Sequence, residues 1–197
     1  MREDKTRGRP MDKGLDRRIT EAAWGLVCDS SLNAVTIQQI AKRAGVSRPA
    51  IYRRWSSAPE IVIAAFLNVV EDAVPMPEEA DPDAALRSYI ASLVRFLAGP
   101  VGRIIAELLG RAQGEPELLD QFHDKFLKQR RAHGRALIER GQRSGCFRAD
   151  IDAEAIIDLY AGPIYFQAFS RHGPLDAAFA DALATLVLAA LHPDATA

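Results

Sequence analysis

The densest chemistry in this sequence lies in the seven residues from Arg48 to Arg54, RPAIYRR. A guanidinium can fork onto O6 and N7 of guanine or clamp a phosphate, a phenol can donate to a phosphate oxygen, and an alanine can touch a thymine methyl. Arg48, Ala50, Tyr52, Arg53 and Arg54 supply those groups within about two turns of helix. Residues that would support catalysis do not assemble in the same way. His123, His133, His172 and His192 stand at no metal-ligand spacing such as H-E-x-x-H, and neither a G-x-S-x-G nor a phosphate-cradling glycine loop occurs. Cys28 and Cys146 are far apart and lack any C-x-x-C neighbour, which argues against a zinc site or a disulfide framework. Cys28 reads as a small thiol among apolar neighbours, and Glu78 and Glu79 as solvated acids. The expectation is therefore no enzyme, no metal and no cofactor.

Charge divides the chain. Residues 1–55 hold 12 Lys/Arg against 6 Asp/Glu, and the rest 13 against 20, so a net charge of −1 conceals a basic head on an acidic body. Each phosphate neutralised by such a head releases condensed counterions, whereas the body would be repelled by nucleic acid. No apolar run reaches about 18 residues, and the polar N-terminus lacks the apolar stretch of a secretory signal. These features predict an unexported, cytoplasmic protein in a reducing compartment, without a membrane partner. A length of 197 residues suffices for one or two domains whose cores need no staple.

The elements that must position the basic cluster are helical. Apolar residues recur at helical spacing nearly throughout, strand alternation is absent, and Pro or Gly interrupts the chain at intervals. The pattern predicts an all-α fold of about nine helices: an N-terminal three-helix domain with a helix-turn-helix, then a C-terminal helical domain. Residues 1–11 read as a mobile basic arm, 12–72 as the first domain, 73–81 as a linker rich in proline and acid, and 82–197 as the second domain. Within the arm, Arg7 to Pro10 (RGRP) is a candidate for the minor groove.

The segment 36–55, TIQQIAKRAGVSRPAIYRRW, carries the start and stop signals of two short helices. Thr36 with Gln39 forms a capping box, with Val35 and Ile40 as its hydrophobic staple, and Gly45 follows where a left-handed residue turns the chain. Ser47 is placed to cap the second helix, Val46 and Ile51 repeat the staple, and Pro49 is tolerated in the first turn. Ser57 with Glu60 reads as another capping box that starts the fourth helix just after Trp55. Two helices joined by a turn of about three residues form a helix-turn-helix, in which the second helix enters the major groove. On spacing alone, a tight helical hairpin with a solvated basic face remains the alternative.

The run T-I-x-x-I-A-x-x-A-G-V-S-x-x-x-I-Y-R-x-W resembles the DNA-binding signature of TetR regulators, and I-T-E-A-A at Ile19 to Ala23 resembles that family's first helix. The runs GRIIAELLGRAQGEPEL, AGPIYFQAF and PLDAAFADAL are similar to a TetR-type C-terminal domain. The resemblance implies a regulator of transcription on double-stranded operator DNA. It places Thr36, Ser47, Arg48, Tyr52 and Arg54 at the DNA backbone and assigns base reading to Arg48, Pro49, Ala50 and Arg53. Two positions depart from the family pattern: Ala58 where a lysine beside the backbone is usual, and Ser31 where a glycine commonly ends the first helix.

In the body, Asp81 is placed to cap a fifth helix that opens with Pro82. A seventh helix runs to about Gly145, an eighth from about Asp152 until Gly173 and Pro174 stop it, and a ninth from Leu175 to about Leu191. The eighth and ninth are apolar over wide arcs. Either a large single-chain core covers them, or two subunits pair through them (152–191) as a four-helix bundle, which the resemblance also implies. Pro163 removes a donor within the eighth helix and predicts a kink. Nearby aromatics, with Phe96, Phe122, Phe126, Tyr160, Tyr165 and Phe169 as candidates, would line a cavity for an unidentified small-molecule effector. The resemblance implies a repressor released by that ligand; a ligand-independent regulator or activator whose body only dimerises is the alternative.

Overall fold

The computed structural model describes residues 13–192, apart from the side chains of residues 13 and 70–72. The basic arm expected at 1–11, with its RGRP run, lies outside the described residues. The chain forms two compact units that divide between Ala65 and Phe66. Every regular element among the described residues is helical.

The first unit contains α1 (Lys13–Asp29), a 3-10 turn (Leu32–Ala34), α2 (Ile37–Ala44), α3 (Arg48–Tyr52) and the start of α4 (Ala58–Ala73). Ile19, Ala23 and Val27 form a fully buried stripe on α1, at the spacing that returns side chains to one helical face. Ile40, Ile51, Ile61 and Val62 complete this small core. The missing glycine at position 31 is accommodated without a left-handed residue. Ser30 Oγ donates to the Leu26 carbonyl (2.7 Å), and Ser31 adopts an extended backbone that opens the 3-10 turn.

At the start of α2 the capping box forms in full: Gln39 N donates to Thr36 Oγ1 (3.2 Å) and Thr36 N to Gln39 Oε1 (2.9 Å). Gly45 closes α2 at φ 66°, a conformation that costs glycine nothing and strains any residue with a Cβ. The box expected at α4 forms with a different partner. Glu60 reaches back to the backbone N–H (2.7 Å) and hydroxyl (2.9 Å) of Ser56, while Ser57 Oγ accepts only a long bond from Glu60 N (3.4 Å).

The second unit continues α4 and adds α5 (Pro82–Ala98), α6 (Pro100–Ala112), α7, α8 (Ala153–Ser170) and α9 (Ala177–Leu191). Helix α7 is one continuous rod in three stretches, α-helical at Pro116–Phe122, π-helical at His123–Leu127 and α-helical at Lys128–Arg143. Nine helices thus cross the described residues. Asp81 caps α5 by accepting from Ala84 N (2.9 Å), and α5 then packs against α6, α7, α8 and α9. Helices α5 and α6 bend by 76° at Gly99, and no single described helix is long and apolar enough to cross a membrane.

Helix α8 runs through Pro163 and ends before the glycine expected to stop it. Arg171 takes the left-handed conformation (φ 53°) and donates its N–H to the Gln167 carbonyl (2.9 Å). The start of α9 is likewise set by a local cap rather than by Leu175: the Asp176 carboxylate accepts from Phe179 N (2.9 Å).

Candidate functional site

Helix α3 is five residues long and divides them between two faces. Ile51 is fully buried and Ala50 is 8% exposed, so this pair anchors the helix. Arg48, Pro49 and Tyr52 lie on the outward face, with Tyr52 59% exposed, and Arg53, the residue that closes the helix, is exposed beside them in sequence. Among the described residues, the side chains of Arg48, Tyr52 and Arg53 form no hydrogen bond or ion pair. The fold leaves two guanidinium groups and a phenol free beside one another. Thr36 is also exposed, at the start of α2.

Three of the expected contact residues are placed differently from the sequence reading. Ala50 is buried, which removes its methyl group from the outward face. Ser47 occupies the N-cap of α3, yet its hydroxyl makes no cap. A capping oxygen accepts from the second or third helical N–H; here the second residue is Pro49, which has none, and Ala50 N already donates to the Ser47 carbonyl (3.0 Å). The exposed Ser47 hydroxyl therefore remains available. Arg54 lies beyond the end of α3 and turns inward, ion-paired to Asp16 of α1 and donating through Nη1 to the Ala50 carbonyl (3.2 Å).

Both members of the Arg54–Asp16 pair are largely enclosed, with side-chain exposures of 17% and 22%. Hydrogen bonds to charged groups contribute about 1.5–3 kcal/mol, and an enclosed charge stripped of its partner costs a similar amount. Asp16→Ala is accordingly expected to lower denaturant stability by about 1.5–3 kcal/mol while leaving the ratio of specific to random DNA affinity unchanged. Wild-type stability in that variant would show that Arg54 is not held by Asp16.

A second candidate site lies in the other unit, where α5, α6, α7 and α8 contribute to the wall of a cavity of about 480 Å³. Phe122, Tyr160 and Tyr165 line it, as expected, and Phe96, Phe126 and Phe169 do not. Phe126 is buried edge-on against Phe66 (4.7 Å between ring centroids), and Phe96 tilts against the same ring (6.1 Å). Phe169 is 38% exposed beside Tyr165. Tyr89 and Arg130 are among the wall residues that the sequence pattern did not single out. Burial pushes the Tyr165 phenol up to about 12 and raises Tyr89 and Tyr160 as well, so all three hydroxyls stay protonated near neutral pH. Tyr160 also depends on Gly134 of α7, since a Cβ there would collide with its hydroxyl.

Among the described residues, one group brings metal-ligating atoms within 4.8 Å of one another: Asp83, Cys146 and His192, at separations in sequence that form no recognisable motif. Hydrogen bonding accounts for it. The Cys146 thiol donates to Asp83 Oδ1 (3.4 Å), His192 Nε2 lies 3.0 Å from the same carboxylate, and burial keeps the thiol protonated by raising its pKa.

Residues 19–65 match the sequence model for bacterial regulatory proteins of the tetR family, and residues 76–187 match that of the tetracyclin repressor-like C-terminal domain. The HTH-type transcriptional regulator YdeS of Bacillus subtilis (strain 168) is 34% identical over 161 residues, covering 82% of this chain and 81% of YdeS. The chain belongs to the TetR family. AqdR of Rhodococcus erythropolis, another HTH-type regulator, is 24% identical over 75% of this chain and 71% of its own. Among solved structures, the TetR family regulator SCO0332 superposes with a TM-score of 0.80 at 26% identity, covering 92% of this chain and all of that one. FadR from Bacillus subtilis, solved in complex with stearoyl-CoA, gives 0.70 at 20% identity over 89% and 99%. Members of the TetR family are DNA-binding regulators of transcription, and the relatives named are regulators rather than enzymes. In this TetR-family chain Ala58, which replaces the usual lysine, is 8% exposed and opens α4.

Proposed function

We propose that this protein is a homodimeric repressor that grips a pseudo-palindromic operator through Thr36, Ser47, Arg48, Pro49, Tyr52 and Arg53, and is released by a small apolar or amphipathic ligand in the cavity of its body. The observation that carries the reading is the outward surface formed by α3 and the residue that follows it, where Arg48, Tyr52 and Arg53 have no bonding role in the fold. Arg48 and Arg53 suit base edges, and Tyr52, Thr36 and Ser47 suit phosphate oxygens. Arg54 is left out of the contact set because Asp16 holds it.

Dimerisation is supported by the exposure of Leu159 (48%), Phe166 (67%) and Leu186 (70%) on α8 and α9. A two-fold axis through those helices would present two copies of α3 at about 34–36 Å, the spacing of successive major grooves on one side of the duplex. The FadR structure shows that the same fold can hold an acyl thioester, which supports reading the cavity as a ligand site. A ligand that favours wrongly spaced heads weakens DNA binding by the same factor by which DNA weakens the ligand.

Selection of bound fragments from random-sequence duplex with the purified protein tests this. An inverted repeat with half-sites about 10 base pairs apart, or a multiple of that, is expected, with affinity that falls steeply as salt rises. No enrichment, or a single unrepeated half-site, would reject the dimeric operator reading.

A further inference from the structure

One wall of the cavity in the second unit carries a positive charge that the fold does not neutralise. Arg130 is 6% exposed, and among the described residues no carboxylate pairs with it. Its Nη1 donates to the Val74 carbonyl (2.8 Å), whereas Nε and Nη2 are buried without any partner. The next residue provides the contrast, since Arg131 is ion-paired to both Glu154 and Asp158. A buried cation is unfavourable unless paired and fully hydrogen-bonded, and a guanidinium cannot escape by losing its proton.

Around Arg130 the cavity wall is mainly apolar, with Leu93, Leu97, Phe122 and Ile164 among the contributors. Tyr89 and Tyr165 lie within reach of the Arg130 charge but remain neutral phenols, and Asp158 is committed to Arg131. Nε and the Nη2 beside it point the same way on a guanidinium, the geometry that accepts both oxygens of a carboxylate.

We infer that the cavity takes an organic anion, an apolar body bearing one carboxylate, and that Arg130 receives that carboxylate through Nε and Nη2. The inference rests on reading the cavity as a ligand site and adds the chemistry of the ligand and its line of action. The Val74 carbonyl held by Arg130 directly follows α4, the helix that begins in the first unit. An apolar chain of contacts leads to the same helix: Phe122 of the cavity wall packs on Phe126 (5.0 Å), and Phe126 on Phe66 of α4 (4.7 Å). Phe126 sits in the π-helical stretch of α7, a distortion that recurs at functional sites. Nε and Nη2 lie just beneath the cavity surface, so a carboxylate that reaches them draws the guanidinium outward and loosens the Nη1 bond to the Val74 carbonyl at the end of α4.

Calorimetric titration of the full-length protein with matched probes tests the inference: straight-chain alkanoates of about six to twelve carbons and arylalkanoates, each against the alcohol of the same skeleton. Acids are expected to bind roughly tenfold or more tightly than their alcohols, the effect of a charge-assisted pair. Arg130→Met, which replaces a buried charge by an apolar chain, should bring acid and alcohol to equal affinity, and Arg130→Lys, which lacks the fork, should restore part of the difference. Thermal melts establish that each variant is folded; should the methionine variant fail, an undiminished acid preference in Arg130→Lys overturns the inference. Equal binding of acid and alcohol by the wild type, no binding of any acid, or a preference unchanged in Arg130→Met overturns it too. Arg130-dependent binding of acids with DNA affinity unaltered upholds the carboxylate site and rejects both its line of action through α4 and release by ligand.

Discussion

Arg48→Ala and Arg53→Ala combined in one chain should weaken binding to the selected operator by about 2–6 kcal/mol, roughly 1–3 for each arginine, while the thermal unfolding temperature stays at the wild-type value. In the free protein neither side chain forms an ion pair or hydrogen bond among the described residues. Truncation therefore removes little that stabilises α3, which Ala50 and Ile51 anchor from the opposite side. On DNA each arginine is asked to fork onto a base edge or a phosphate, and the two roles separate in a titration against salt. Loss of a base contact lowers the ratio of specific to random affinity; loss of a phosphate contact lowers both and reduces the salt slope by about one. Tyr52→Phe serves as the internal comparison, because a phenol donating to phosphate should weaken all sequences alike. Anisotropy measurements with the operator and a scrambled duplex decide the matter. A double variant that unfolds earlier, or that loses affinity equally on both duplexes, removes base reading from α3.

What was legible in the sequence were the interactions closed within three or four residues. Thr36 with Gln39, Gly45 after α2 and Asp81 before Pro82 each complete their bonding inside one turn, and the structure places all three as read. The same locality explains the errors at Ser47 and Glu60, where competing local partners decide: Pro49 offers no N–H, and Ser56 is as reachable as Ser57. Arg54 was illegible for another reason, since its partner Asp16 lies on a different helix and nothing near position 54 marks an inward turn. The cavity was half visible. Aromatic positions on α7 and α8 suggested it, but the apolar stripe of α7 runs through Phe126, Arg130, Gly134 and Leu137, all buried. An arginine at that step in a buried stripe was a readable signal, hidden by the charged run KQRRAHGRALIER around it.

Leu186→Glu should convert the protein to a monomer at micromolar concentration and with it abolish tight binding to the full operator. Of the large apolar side chains exposed among the described residues, four lie on α8 and α9: Leu159, Phe166, Phe169 and Leu186. Single exposed apolar residues need no explanation, but Leu159, Phe166 and Phe169 recur along one stripe of α8, and α9 packs beside it. In an isologous interface each substitution counts twice, so one glutamate per chain places two unpaired carboxylates in the contact. Their desolvation costs several kcal/mol, enough to weaken association by about two to four orders of magnitude. Leu186 is 70% exposed in the single chain, so the same substitution leaves the fold of the monomer undisturbed and its melting cooperative. Separated heads then lose the effective concentration that joins two half-site contacts into one binding event. Sedimentation velocity gives the mass and anisotropy the affinity. A variant that stays dimeric moves the interface elsewhere, and a monomer that still holds the full operator at wild-type strength shows that one α3 is sufficient.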